Sequence, residues 1–400
     1  MAKRNDKTQE KKNSSIRIWL SILRALILLS IFAALIMFLY MNRENISNDT
    51  IGRIFSVFDP GGEVSADGNI TIYYDSGETN RYAVFNKSFA VLHDGKLEVF
   101  DRSGKTTLSE RLDFTADTIS ADSRFIAAYS VGGTKLAVFN TKNEIFHKTF
   151  DHPICFANVT QGGYTIVATA DEGFAYAVTV FDTSQKQIYR ARIASTKHVV
   201  AADISPDNRQ LAVLWLNSAE PAIKTELAVF DLKSENEPAP ILIGSSTPMS
   251  VDFSDNNSIT VITDSDIQFI SAEDSVFSVK STYDFGGEIL WKTASGDVTA
   301  VMLDKYGFGD TCRLIIFDKD GSVLCSQALN FEIRHLSVYG ERIFILDQSR
   351  QLILNSSGEI EHETKADGDS IAFFGMDDDT AVAASVGHAM IEPIRLFGIE

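Results

Sequence analysis

Lys96–Lys105 reads KLEVFDRSGK, and Lys135–Glu144 answers it with KLAVFNTKNE. The phrase returns as AVTVFDTSQK (177–186), ELAVFDLKSE (226–235), DIQFISAED (266–274), RLIIFDKDGS (313–322), QLILNSSGEI (351–360) and PIRLFGIE (393–400). Aligned on the residue before the turn, it falls at Phe100, Phe139, Phe181, Phe230, Phe269, Phe317, Leu354 and Phe397. A spacing of about 40 residues admits helical pairs or four-stranded propeller blades. The side chains decide between them. Each unit is made of short Val-, Ile-, Phe- and Thr-rich runs broken by Asp, Asn, Ser and Gly, which is the signature of strands and turns.

Apolarity is graded within a unit. Second strands such as TIVATA, LAVLWL and RIFIL are almost wholly apolar, as strands covered on both faces must be. Fourth strands such as TTLSERL and EIEHETK alternate or turn polar, as an exposed outer edge requires. The last unit runs DSIAFFGM, TAVAASVG, AMIEPIRLF and stops one strand short, while NITIYYDS (69–76) precedes the first complete unit without a unit of its own. This strand is expected to complete the last blade and remove the open edge. The fold class is therefore all-β: an eight-bladed β-propeller over residues 69–400, with a seven-bladed ring as the alternative.

The N-terminal part is of another kind. Residues 1–43 carry eight basic side chains against Asp6 and Glu10, so the rest of the chain is more acidic than the net charge of −18 for the whole. Between the two lies IWLSILRALILLSIFAALIMFLYM, Ile18 to Met41, apolar all round and uncharged after Arg24. Such a run reads as one transmembrane helix. The basic residues before it predict a cytoplasmic N-terminus. The expected order is a basic cytoplasmic tail (1–17), the transmembrane helix (18–41), a juxtamembrane linker (42–68) and an extracytoplasmic propeller held at the cell membrane. A cleaved signal peptide would end at a small-residue site, which FLYMNREN does not offer. Binding to nucleic acid is disfavoured, because phosphates call for surplus Lys and Arg.

Units of the form φ-x-φFDxxGxφ resemble the repeats of quinoprotein-type propellers. ISPDNRQLAVL is similar to the blades of TolB-like and WD40-like propellers. The whole layout resembles uncharacterised bacterial single-span membrane proteins with an external propeller. The resemblance implies a fold and carries no cofactor residue. Trp19, Trp215 and Trp291 are too few to lock the blades as quinoproteins do. No cofactor and no metal site is expected: the seven histidines form no HExxH, and no GxSxG is present. DKDGS (318–322) has the start of a calcium loop, but it sits where a hairpin turn is required.

Binding residues are sought in the loops between second and third strands. Most are tight, as HDGK (93–96), but three are read as enlarged: DEGFAYA (171–177), NSAEPAIKTE (217–226) and DKYGFGDTC (304–312). They would place Phe174, Tyr176, Glu220, Tyr306, Phe308 and Asp310 on one face, where aromatics amid polar residues suit recognition. Cys312 and Cys325 flank a hairpin turn and form a candidate disulfide. The leading function is a non-catalytic protein- or ligand-binding scaffold of the cell envelope, with an envelope protein or extracellular ligand as partner. The alternative is an envelope hydrolase or glycan-processing enzyme with its site in the channel. Clustered charged pairs with shifted pKa values there would favour the enzyme.

Overall fold

The computed structural model describes residues 62–395, apart from 66–67, 76–78, 235, 297 and 305–311. The described residues form eight antiparallel sheets, seven of four strands and one of five. Blade 1 is Arg81–Phe85, Ser88–His93, Lys96–Phe100 and Thr106–Arg111. Blades 2 to 7 begin at the strands Thr118–Ala121, Ile154–Val159, Lys197–Ile204, Pro248–Asp255, Glu288–Ser295 and Ile333–Tyr339. In each of these, sequence order is also spatial order. First strands of neighbouring blades touch at seven of the eight seams, that of blades 8 and 1 included, and blades 5 and 6 share a buried core cluster, so the ring closes. Eight blades it is.

Blade 8 contains Ala372–Gly375, Thr380–Ala384 and His388–Pro393 from the end of the chain, and Ile70–Tyr73 from its beginning. Ile70 pairs with Ile391 and Ile72 with Ala389, which is the expected clasp. A fifth strand, Glu63–Val64, adds outside it, within the stretch read as linker. Tyr74 seals the joint: its buried hydroxyl lies 2.6 Å from the Ser385 carbonyl and 2.7 Å from that of His388. Among the described residues no helix is long and apolar enough to cross a membrane. The expected tail, transmembrane helix and most of the linker lie outside the described residues.

The apolar core is divided among the seams. Eight clusters of buried side chains are found, one at each blade–blade contact. Strand alternation explains this. In blade 3, Ile166 and Ala168 face blade 4 while Val167 faces blade 2. In blade 4, Leu211, Val213 and Trp215 face blade 3 while Ala212 and Leu214 face blade 5. A strand buried on both faces must read as a continuous apolar run, which is why the second strands do. Trp215 is fully buried, and its indole N–H finds Glu226 Oε2 at 2.9 Å.

The recurring FD turn is a local device. Asp101, Asp182 and Asp318 each use Oδ1 to accept the backbone N–H groups two and four residues ahead, at 2.8–3.1 Å. Asn355 does the same for Ser357 and Glu359. The side chain imitates a backbone turn and ends the third strand. In DKDGS the Asp318 carboxylate is thus occupied by its own turn. Gly321 follows at φ +88, and a Cβ there would lie 2.6 Å from Phe269 of the preceding blade. Glycine is required twice over, by conformation and by contact.

Candidate functional site

Of the three loops expected to form a binding face, two lie within the described residues, and they differ from each other. DEGFAYA is not an enlarged loop. Asp171 pairs with Phe174, leaving a two-residue turn, and Phe174 and Tyr176 belong to the strand Phe174–Phe181. Extending both strands satisfies their backbone groups, which a flexible loop would leave to water. Phe174 is exposed but covered on one side by Arg192, whose guanidinium lies 5.3 Å from the ring centre. Asp171 holds Arg190 at 3.0 Å and Arg192 at 3.1 Å. Tyr176 packs against the seam of blades 3 and 4 and meets His198 edge-on. Glu220 lies in a true loop, Ser218–Ile223, where it pairs with Lys224 at 2.5 Å. Tyr306, Phe308 and Asp310 lie outside the described residues.

Cys312 and Cys325 are not opposite each other. Cys312 faces Leu329 and Cys325 faces Ile316, and both thiols are free and buried. Cys312 lies five residues before Phe317 but Cys325 only two after Val323, the partner of Phe317, and the register shift between Ile316 and Phe317 adds one more, so each cysteine is four residues from the other's cross-strand partner. That is about 13 Å along a strand, beyond the reach of a disulfide.

In an antiparallel meander, first-to-second and third-to-fourth turns share one face, and the loops just described share the other. The notable concavity is on the first of these faces. A cavity of about 480 Å³ occupies the mouth of the central channel and is lined by all eight blades. Its walls are the ends of the first strands, which are half-exposed and polar where the second strands behind them are buried and apolar.

Hydrogen bonds run from blade to blade around this wall. Ser120 of blade 2 donates to Asn158 Oδ1 of blade 3 at 2.7 Å, and its oxygen accepts the Val159 N–H at 3.1 Å. Asn158 donates to the Ala202 carbonyl of blade 4 at 3.4 Å. Asp203 of blade 4 accepts the Phe253 N–H of blade 5 at 2.8 Å. Farther round, Ser337 of blade 7 donates to the Phe373 carbonyl of blade 8 at 2.8 Å. Beside it His335 is wedged against Trp291 and Phe374, and burial pushes its pKa down to about 4. It is neutral at physiological pH and structural.

Charge gathers on adjacent blades. Burial pushes the Asp203 carboxyl up to about 7, and the neighbouring Asp252 charge adds to the shift. Burial also raises Asp252, opposed by the ammonium of Lys292 on blade 6. Lys292 is lowered by burial and steadied by Asp252. Asp122 of blade 2 is raised by burial, and its charge is felt by Asp203 across the channel. Asp203 and Asp252 keep part of their surface on the cavity, so solvent there tempers the penalty. At neutral pH the site holds Asp203 poised between its two forms, beside Asp252, whose pKa burial also raises, and Lys292.

These groups were missed from sequence. The signal was present in ADIS (202–205) and VDFS (251–254), which place an aspartate at the same point of two successive first strands. Without the ring, nothing shows that those points face a common space.

A model of a family of unknown function, DUF5711, matches residues 66–395. No curated protein matches the chain. Among solved structures, the Dos1 propeller is similar over 84% of this chain and 96% of that one, at 13% identity and a TM-score of 0.58. Hsv2 of Kluyveromyces lactis is similar over 72% of this chain and 98% of its own, at 13% identity and a TM-score of 0.48. A functionally unknown protein from Desulfotomaculum acetoxidans covers 67% of this chain and 92% of its own, at 13% identity and a TM-score of 0.45. At 13% identity the likeness to the Dos1 propeller is one of fold.

Proposed function

We propose that this chain, which belongs to the DUF5711 family of unknown function, is a membrane-anchored propeller of the bacterial cell envelope that binds a ligand or partner in its channel mouth. The observation that carries the reading is the eight-blade cavity, whose polar wall includes Asp122 and Asp203, which among the described residues have no basic side chain in ion-pair range. Enclosed polar groups of this kind are costly to keep unless something is recognised there. The anchor rests on the apolar run 18–41 and the basic residues before it, which support an N-in, single-pass arrangement with the propeller outside. The loop face is the weaker candidate, because Phe174, Tyr176 and Glu220 each have neighbours that occupy them.

Two experiments test these statements. A thermal-shift screen of the full chain in detergent against envelope-derived metabolites and peptides should give hits that Ala294→Trp abolishes, since Ala294 lines the cavity. Hits unaffected by that plug would move the site elsewhere. Protease added to intact spheroplasts should digest the propeller and spare the N-terminal tail, and the reverse pattern would overturn the topology.

The shifted Asp203, Asp252 and Lys292 favour a second reading, a hydrolase that uses a pair of neighbouring carboxyls for acid–base chemistry. Turnover of envelope glycans or peptides that is lost in both Asp203→Asn and Asp252→Asn would establish it over binding alone.

A further inference from the structure

The channel mouth carries an uneven charge, and what that charge admits rests on the channel-binding reading above. Three carboxylates reach the cavity: Asp122 from blade 2, Asp203 from blade 4 and Asp252 from blade 5. Every blade's contribution can be named. Blade 1 places Lys87 at the rim, blade 6 lines the wall with Ala294, Ser295, Gly296 and Thr299, and blade 7 adds the phenol of Tyr339. Lys292 of blade 6 is outside this lining but acts on Asp252 by its charge. Blades 3 and 8 contribute only uncharged groups, Asn158 and Gln161 from the one and Met376 from the other.

Lys292 is the electrostatic partner of Asp252. Among the described residues neither Asp203 nor Asp122 has a basic side chain within ion-pair distance, although each senses burial and Asp203 senses Asp122. Their hydrogen bonds come from backbone N–H groups, Phe253 for Asp203 and Ser123 for Asp122. Those donors fix where the carboxylates point without neutralising them. An anion entering the cavity would be repelled. A neutral ligand would have to leave two desolvated carboxylates unpaired, which is expensive. A cation would complete them.

We infer that the channel mouth takes a ligand bearing a protonated amine, received by Asp203 with Asp122 across the cavity. The volume admits an amino sugar, a small diamine or a lysine side chain presented by a partner protein. The ammonium offers three donors, enough to bridge carboxylates on separate blades. Its arrival favours the ionised form of Asp203, so binding at neutral pH displaces a proton from that carboxyl to the buffer. With Asp203 ionised in only about a tenth of molecules one unit below its midpoint, affinity should fall about tenfold between pH 8 and pH 6.

The test is calorimetry on the full chain in detergent with three amines: butylamine, glucosamine and a short lysine peptide. Their N-acetylated counterparts serve as controls. The amines should bind at pH 8, bind about tenfold more weakly at pH 6, and release protons at pH 7. Preference for glucosamine would point to a free small molecule, and preference for the peptide to a protein partner. Asp203→Asn keeps an acceptor for the Phe253 N–H and should abolish the pH dependence. Asp122→Asn should weaken binding while leaving the midpoint near its place. Equal binding of the acetylated probes, or of amines to Asp203→Asn, would overturn the inference. So would silence of all amines at pH 8. If other ligands then bound and Ala294→Trp blocked them, the channel reading would survive its loss.

Discussion

Asp203 and Phe253 join blade 4 to blade 5: the aspartate's Oδ2 accepts the phenylalanine's backbone N–H at 2.8 Å on the wall of the central cavity. The same carboxyl is pushed up to about 7, chiefly by burial, so one bond links the ring's geometry to its protonation.

A carboxyl whose folded pKa exceeds its unfolded value binds protons more tightly in the native state. Its contribution to stability is therefore fully present below the unfolded pKa of about 4 and is lost as pH rises through 7. The stability difference between wild type and Asp203→Asn should shift in favour of the variant between pH 4 and pH 8. Urea denaturation across that range measures it, and a difference independent of pH would contradict the shifted carboxyl. Asp203→Ala should be worse than Asp203→Asn by about 1–3 kcal/mol, because it leaves the Phe253 N–H without an acceptor.

The clasp predicts a second effect. Tyr74→Phe keeps the ring and removes the hydroxyl that the Ser385 and His388 carbonyls share. A loss of about 1–3 kcal/mol is expected in chemical denaturation. Hydrogen exchange should quicken first in Ile70–Tyr73 and His388–Pro393, the two strands that the chain's ends bring together. Faster exchange spread evenly over all blades would count against a local clasp.

Gly321→Ala should destabilise by at least the cost of a left-handed alanine, about 1–2 kcal/mol, with the contact against Phe269 adding to it. Gly368→Ala is the control, because no heavy atom lies within 4 Å of a Cβ placed there and its φ is not in the positive region. Similar losses at both sites would show that the FDxxG turn is not held as described.

Cys155, Cys312 and Cys325 are free thiols, and burial raises the pKa of each, Cys312 to about 11. Protein denatured without reductant should take up three equivalents of an alkylating agent by intact mass. The native protein should react slowly, least of all at Cys312. An unreduced species missing two labels would revive the disulfide.

Much of the architecture was legible because its causes are local or periodic. The Asp101 and Asp318 turns need only a carboxylate and the amides two and four residues ahead, so a ten-residue window contains the whole device. The double burial of the second strands writes itself as continuous apolar runs such as LAVLWL. Even the clasp was countable, since a blade one strand short at one end met a spare strand at the other. DEGFAYA misled because a longer hairpin and an enlarged loop have the same length in sequence. Only cross-strand bonds such as Asp171 to Phe174 tell them apart. The cysteine pairing failed because Cys312 stands five residues from Phe317 while Cys325 stands only two from Val323, the partner of Phe317, an offset set by where the hairpin turns and widened by one register shift.

By itself, then, the sequence determined the all-β class, the repeating blade and the strand that closes the ring, all from turn chemistry and strand periodicity, and it favoured eight blades over seven, a choice the eight sheets then decided. Only the tertiary structure decided where the chemistry collects. Asp122, Asp203, Asp252 and Lys292 stand on four different blades, and each is an ordinary polar residue on its own strand. The three aspartates share one cavity, and Lys292 acts on Asp252 beside it, because the ring turns every first strand toward the same axis. Burial and mutual charge, which shift their pKa values, exist only after that closure.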